Sequence, residues 1–245
     1  MSTLTRKQRE IQQREAKILE VARQMLLEHG YHGLSMDRIA ELLEYSKGTI
    51  YHHFPCKEEI LMALANQALE SRLAMFRRAA AFRGRPRERI MAVGQAYEAF
   101  VRLYPHHFQV EQVIRLSSVW QKTSHERRES ARICDTACMG VVGGIVRDAV
   151  AAGDLDLRSD VAPEHLVFGL WTMAFGAFTL LASGAALDEL GIPEPIVALR
   201  HNYNSLLDGY GWRPLSGELD QQATIERINR EVLAEEMQQL AVLGR

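Results

Sequence analysis

Between Ser46 and Phe54 the chain reads Ser-Lys-Gly-Thr-Ile-Tyr-His-His-Phe. No other run constrains the fold as tightly. It is too short and too polar to be a core element, yet its order suits a helix pushed end-on against a phosphate backbone. Ser46 can cap the helix, because its hydroxyl oxygen accepts a backbone N–H two or three residues on. Lys47 adds positive charge to a helix end that already favours anions. Gly48 has no side chain and lets a duplex approach closely, at a cost of about 1 kcal/mol in helix stability relative to Ala. Thr49, Tyr51 and His53 carry groups that can donate to phosphate oxygens.

The preceding run, Ser35 to Leu43, predicts a short helix. Ser35 is its cap, and Ile39, Leu42 and Leu43 form its apolar side. Only Glu44 and Tyr45 separate it from Ser46. Two short helices with so tight a connection form a helix-turn-helix, whose second helix enters the major groove. Ile50 and Phe54 are four apart and can hold that helix on its bundle.

The run from Ser35 to Leu61 resembles the signature of the TetR family of transcriptional repressors. The resemblance rests on Ser35, Ile39-Ala40, Ser46-Lys47-Gly48-Thr49-Ile50-Tyr51, His53-Phe54, Lys57-Glu58 and Ile60-Leu61. It implies an operator-reading head in which Lys47, Tyr51, His53 and Lys57 hold phosphates while Lys47, Thr49 and His52 meet bases, with Ser35, Ser46 and Gly48 shaping the two helix starts. Two positions depart from the family pattern. Glu44 stands where the family has Gly, so a left-handed turn there is strained or the turn is built differently. Cys56 stands where the family has a capping Ser, Asn or Asp, which weakens the start of the next helix.

The composition bounds the rest. The 245 residues are 47% hydrophobic, enough for one or two full cores. Net charge is only −2, and residues 1–60 balance nine Lys/Arg against nine Asp/Glu. DNA affinity must then come from local placement rather than bulk charge. The start of the chain is locally basic, with Arg6, Lys7, Arg9, Arg14 and Lys17. It reads either as a solvated helix end or as an arm touching phosphates or the minor groove. No apolar run reaches the ~20 residues of a membrane span, and Leu166 to Ala182 reads as a buried helix. Three cysteines and the lack of a secretory pattern fit a cytoplasmic protein. Cys134 and Cys138 read as core residues, and no metal-ligand spacing or cofactor motif is present.

Helical periodicity runs through the chain, with no strand pattern, which predicts an all-α fold. A three-helix helix-turn-helix domain (1–56) precedes a larger helical ligand-binding and dimerisation bundle (57–212) with a connector helix at 57–82. A single extra helix lies in 213–245, from about Glu218 to Leu243. Gly30 should stop the first helix, and Gly140, Gly143 and Gly144 predict a kink or a close helix approach. A segment from Pro105 should run to about Leu116.

The resemblance also implies a homodimer and a small-molecule effector. Two helices, 163–183 and 193–210, would face the partner through Trp171, Phe175, Phe178, Tyr203 and Leu207. Tyr97, Phe100, Tyr104, Phe108, Val113, Trp120 and Met139 are the pocket candidates. They suit an apolar, neutral or anionic ligand, and equally suit plain core packing. The expected partners are a double-stranded operator, a hydrophobic effector and a second copy of the chain, with no membrane. Alternatives are an activator or architectural DNA binder without ligand, or a helical enzyme for a small apolar substrate. The latter lacks any nucleophile–base motif.

Overall fold

The structure, a computed structural model, describes residues 5–114 and 117–244. The predicted end at Leu116 lies outside them. Every regular element among the described residues is helical. In chain order these are α1 (Arg6–Gly33), α2 (Met36–Leu42), α3 (Lys47–His53), α4 (Lys57–Ala80), α5 (Pro86–Leu103), α6 (Pro105–Ile114), α7 (Ser117–Lys122), α8 (His125–Ala151), α9 (Pro163–Ala182), α10 (Pro195–Gly209), a 3-10 turn (Ser216–Glu218), α11 (Gln221–Glu231) and α12 (Ala234–Val242).

Two compact units emerge. One contains residues up to Leu69 together with His106–Cys134; the other contains Glu70–Pro105 and Asp135 onward. This differs from the sequence-based division at 56 and 212, because segment 106–134 completes the core of the first unit. Val110, Ile114, Val119, Ala131 and Cys134 are buried with Ile18, Ala22, Ile39, Ile50, Phe54 and Leu61. Two buried carboxylates at the start of α4 fasten this segment. Glu58 accepts from Tyr31 Oη at 3.3 Å and Lys122 Nζ at 3.2 Å. Glu59 pairs with Arg127 Nε at 2.9 Å and accepts from the Ser124 backbone N–H. Arg127 also lies over the Phe54 ring, 5.2 Å from its centroid.

Thr5 caps α1 in a reciprocal box with Gln8. Gly30 has φ 65° and breaks the helix, leaving one further turn to Gly33. The turn after α2 is a Schellman motif, with Tyr45 N–H donating to Ala40 O at 2.9 Å and Glu44 N–H to Glu41 O at 3.1 Å. Its left-handed position is Glu44, at φ 55°. The strain foreseen for a side chain there is therefore present.

In the second unit α8 passes through its glycines as one helix. An added Cβ at Gly140 or Gly144 would meet nothing within 4 Å. At Gly143 it would meet only the Arg147 side chain of the same helix, at 3.3 Å, so the close approach of another helix expected at these glycines is not found. The single C-terminal helix is also corrected. Asp220 caps α11 through the Ala223 N–H at 2.9 Å, and the chain leaves helical geometry at Leu233 before α12 begins. Both short helices pack on α5, which a straight helix of that length would overshoot.

Candidate nucleic-acid interface and effector cavity

The reading head is built from caps and one apolar side. Ser35 Oγ accepts from Arg38 N–H at 3.4 Å, and Ser46 Oγ accepts from Thr49 N–H at 3.1 Å. Ile50 and Phe54 are buried and seat α3 on the first unit. The opposite side leaves Lys47, Gly48, Tyr51 and His52 exposed and Thr49 half-exposed. An added Cβ on Gly48 would meet only Ser46 Oγ, at 3.7 Å, so the space there opens outward.

His53 does not join that side. Its side chain is 4% exposed, and Nδ1 lies 3.5 Å from Glu15 Oε1. Its place at the end of the helix turns it against α1, so it holds the domain together rather than reaching outward. Lys57 is half-buried, with Nζ 4.3 Å from the centre of the Tyr31 ring. Ser35 and Ser46 are committed to the helix starts they cap.

Lys47 donates from Nζ to Asp37 Oδ2 at 2.7 Å, an exposed pair that spans the turn. That hydrogen bond raises the lysine pKa above its ordinary value. Asp37 therefore stands against Lys47, although the sequence signature did not single it out. The available signal was an acidic residue in the first turn of a helix facing the next helix start. Burial pushes the Cys56 thiol pKa up, against the lowering effect of the Glu58 and Glu59 backbone N–H groups at the start of α4, and Sγ donates to Lys122 O at 3.6 Å.

The second unit holds a cavity of about 120 Å³. A single water needs roughly a tenth of that, so the space is of ligand size. Only Tyr97 and Met139 among the expected pocket residues line it. Phe100 is buried beside Tyr104, their ring centroids 5.7 Å apart, away from the lining. Phe108, Val113 and Trp120 belong to the first unit, where Phe108 is buried, Val113 packs on the core and Trp120 is exposed.

Four residues expected to face a partner instead line the cavity: Trp171, Phe178, Tyr203 and Leu207. Phe175 lies beside Trp171, with ring centroids 6.2 Å apart. The apolar side chains that α9 and α10 leave exposed are Phe168, Leu180, Leu181 and Val197. α9 is apolar enough around its circumference to serve a cavity on one side and an outer face on another. It is also the one described helix long and apolar enough to cross a membrane. Leu166, Val167, Leu170, Ala174 and Phe178 bury its inner side in the second unit.

Charged groups in the wall went unnoticed in the sequence, because each sits singly in an apolar stripe. Arg72 Nη2 donates to Asp135 Oδ1 at 2.8 Å, and Arg200 Nη2 donates to Glu98 Oε2 at 2.7 Å. Tyr203 Oη donates to Leu170 O at 3.2 Å, and burial raises its pKa above the ordinary phenol value.

Comparison with known proteins agrees with this architecture. Residues 18–64 match the family described as bacterial regulatory proteins, tetR family, and residues 90–198 match the tetracyclin repressor-like C-terminal domain. The transcriptional regulator UidR of Escherichia coli is 41% identical over 70 residues, 29% of this chain and 36% of UidR. The transcriptional repressor AcnR of Corynebacterium diphtheriae is 43% identical over 58 residues, 24% of this chain and 30% of AcnR. The match thus spans about a third of the length of these curated relatives. The crystal structure of the regulator PfmR from Thermus thermophilus superposes with a TM-score of 0.57 at 22% identity, covering 78% of this chain and 97% of that one, a likeness of fold. A capped recognition helix on a three-helix head, a helical second unit and both family matches together make this chain a member of the TetR family of helix-turn-helix transcriptional regulators.

Proposed function

We propose that the protein is a repressor that binds a palindromic operator as a homodimer and releases it when a small hydrophobic effector occupies the cavity of the second unit. The observation that carries this reading is the division of α3. Ile50 and Phe54 are buried while Lys47, Tyr51 and His52 stay exposed around a side-chain-free Gly48. That is the form of a helix meant to lie in a groove.

Dimerisation follows from reading length. One short helix reads few bases, whereas a two-fold pair reads half-sites about 34–36 Å apart. The exposed apolar side of α9 and α10 supports the partner surface there. Phe168, Leu180, Leu181 and Val197 take the place of the residues first expected in it. The effector acts as a population shift. A molecule that binds better to the arrangement with mis-spaced heads lowers operator affinity by its differential affinity for the two states. Such a protein works in the cytoplasm, on the chromosome.

The test is recovery and footprinting of genomic fragments bound by the purified protein. A palindrome protected over two half-sites one helical turn apart, upstream of a gene whose transcription falls on binding, is the expected outcome. A single unpaired half-site removes the dimer, and increased transcription removes repression.

A further inference from the structure

The C-terminal segment lies beyond both family matches, yet it is firmly bound within the second unit. Arg227 ties α11 down at three places. Nη1 lies 3.3 Å from Glu88 Oε1, Nη2 donates to Arg83 O at 3.0 Å, and the guanidinium lies 4.9 Å from the Phe82 ring centre. Glu236 of α12 pairs with Arg78. Ile228, Leu233 and Leu240 are buried.

From this anchored position α11 presents Gln221 and Ile225 to the cavity. They are four apart and share a face. Gln221 is held at both ends of its amide. Oε1 accepts from Asn204 Nδ2 at 2.8 Å, and Nε2 donates to Ser216 O at 3.2 Å. α11 is thereby joined to α10 at the cavity wall.

We infer that α11 is the selective wall of the effector cavity, with Ile225 and Gln221 setting which molecule fits, and that this molecule is uncharged and largely apolar. The inference rests on the effector reading of the cavity. Its charge class follows from the wall. Arg72 is committed to Asp135, Arg200 to Glu98, and Glu98 also to Arg102 at 3.4 Å. Each of these wall charges already has an opposite partner, so a charged ligand would add an unopposed charge to the cavity and lose its own hydration there. An uncharged ligand meets Phe76, Ile90, Leu170, Ala174 and Phe178 and displaces only water.

Two fluorescent probes with one skeleton separate these claims: N-phenyl-1-naphthylamine, which is uncharged, and its sulfonate, 8-anilino-1-naphthalenesulfonate. Both are titrated into the full-length protein. The uncharged probe should saturate one site per chain and bind about tenfold tighter than the sulfonate. Ile225→Trp, which fills the cavity from α11, and Val142→Trp, which fills it from α8, should each weaken it about tenfold or more. Thermal melting and helicity verify that the variants fold. Ile225→Ala and Gln221→Leu, which add no bulk beyond the space present, should still change the affinity at least about threefold.

Binding that is lost in Val142→Trp but unchanged in every Ile225 and Gln221 variant overturns the α11 wall and leaves the cavity reading intact. Tighter binding of the sulfonate overturns the uncharged class. No saturable binding, or binding indifferent to Val142→Trp, overturns the effector cavity itself.

Discussion

Arg87 Nη2 lies 2.6 Å from Asp208 Oδ1, and the arginine side chain is wholly buried. The same guanidinium donates to the carbonyl of Trp212 and, at 3.4 Å, to that of Asn204. Asp208 also accepts from the backbone N–H of Ser216 at 3.0 Å. One cation thus joins α5, the end of α10 and the start of the C-terminal segment.

Removing that cation should unfasten all three. Arg87→Ala removes the cationic partner of the carboxylate and one donor to each of two carbonyls, and is expected to cost roughly 3–5 kcal/mol. Asp208→Asn, which keeps a hydrogen-bonding oxygen, should cost less. Thermal or denaturant unfolding of the two variants measures the difference. Equal and small losses would mean that the pair contributes little.

Glu44 occupies a left-handed turn position at φ 55°. Such a conformation costs an L-residue about 1–2 kcal/mol, and glycine avoids it while adding some entropy to the unfolded chain. Glu44→Gly is therefore expected to stabilise the protein by up to about 1 kcal/mol. A raised Tm is the readout, and a lowered Tm would show that the side chain holds the turn.

The proposed contact of Lys47 with phosphate puts Asp37 in competition for the same ammonium. Asp37→Asn should tighten binding to every sequence, because the ammonium then faces the duplex without an anion 2.7 Å away. Lys47→Ala should weaken it and reduce the slope of log K against log salt by about one. Fluorescence anisotropy at several salt concentrations tests both, and an unchanged slope would remove Lys47 from the phosphate contacts.

His107 should make the protein acid-sensitive. Burial, reinforced by His106 and Arg23, lowers its pKa to about 4 from an ordinary 6.5. The folded state binds the proton more weakly than the unfolded chain. Its contribution is therefore complete above pH ~6.5 and is lost as pH falls towards 4. The whole shift corresponds to about 3 kcal/mol, which the ring's partial exposure reduces to roughly 1–2 kcal/mol. Unfolding free energy measured across this window should fall, and His107→Gln should flatten the curve.

The outer face of α9 gives a test of assembly. Phe168 is 62% exposed, and Phe168→Glu should dissociate the dimer without lowering Tm at high dilution. Sedimentation velocity reads the outcome, and an intact dimer would place the interface elsewhere.

Local sequence chemistry determined the reading head, because caps, turns and short apolar spacings act within a few residues. Ser35, Ser46 and Gly30 show their roles in order alone, and even the strain at Glu44 follows from knowing which position must be left-handed. The all-helical class was legible for the same reason, since period is a local property. The second unit was not legible to the same depth. α9 is apolar nearly all round, so periodicity could not say whether Trp171 and Phe178 turn to a partner or to a cavity; packing against α5 and α10 turned them inward. Phe108, Val113 and Trp120 carry the composition of a pocket but lie in the first unit, because Glu58 and Glu59 draw the following segment onto α4. His53 has the chemistry of a phosphate contact, and Glu15, 38 residues earlier, claims it. Each of these outcomes turns on which distant groups meet, and only tertiary packing decides that.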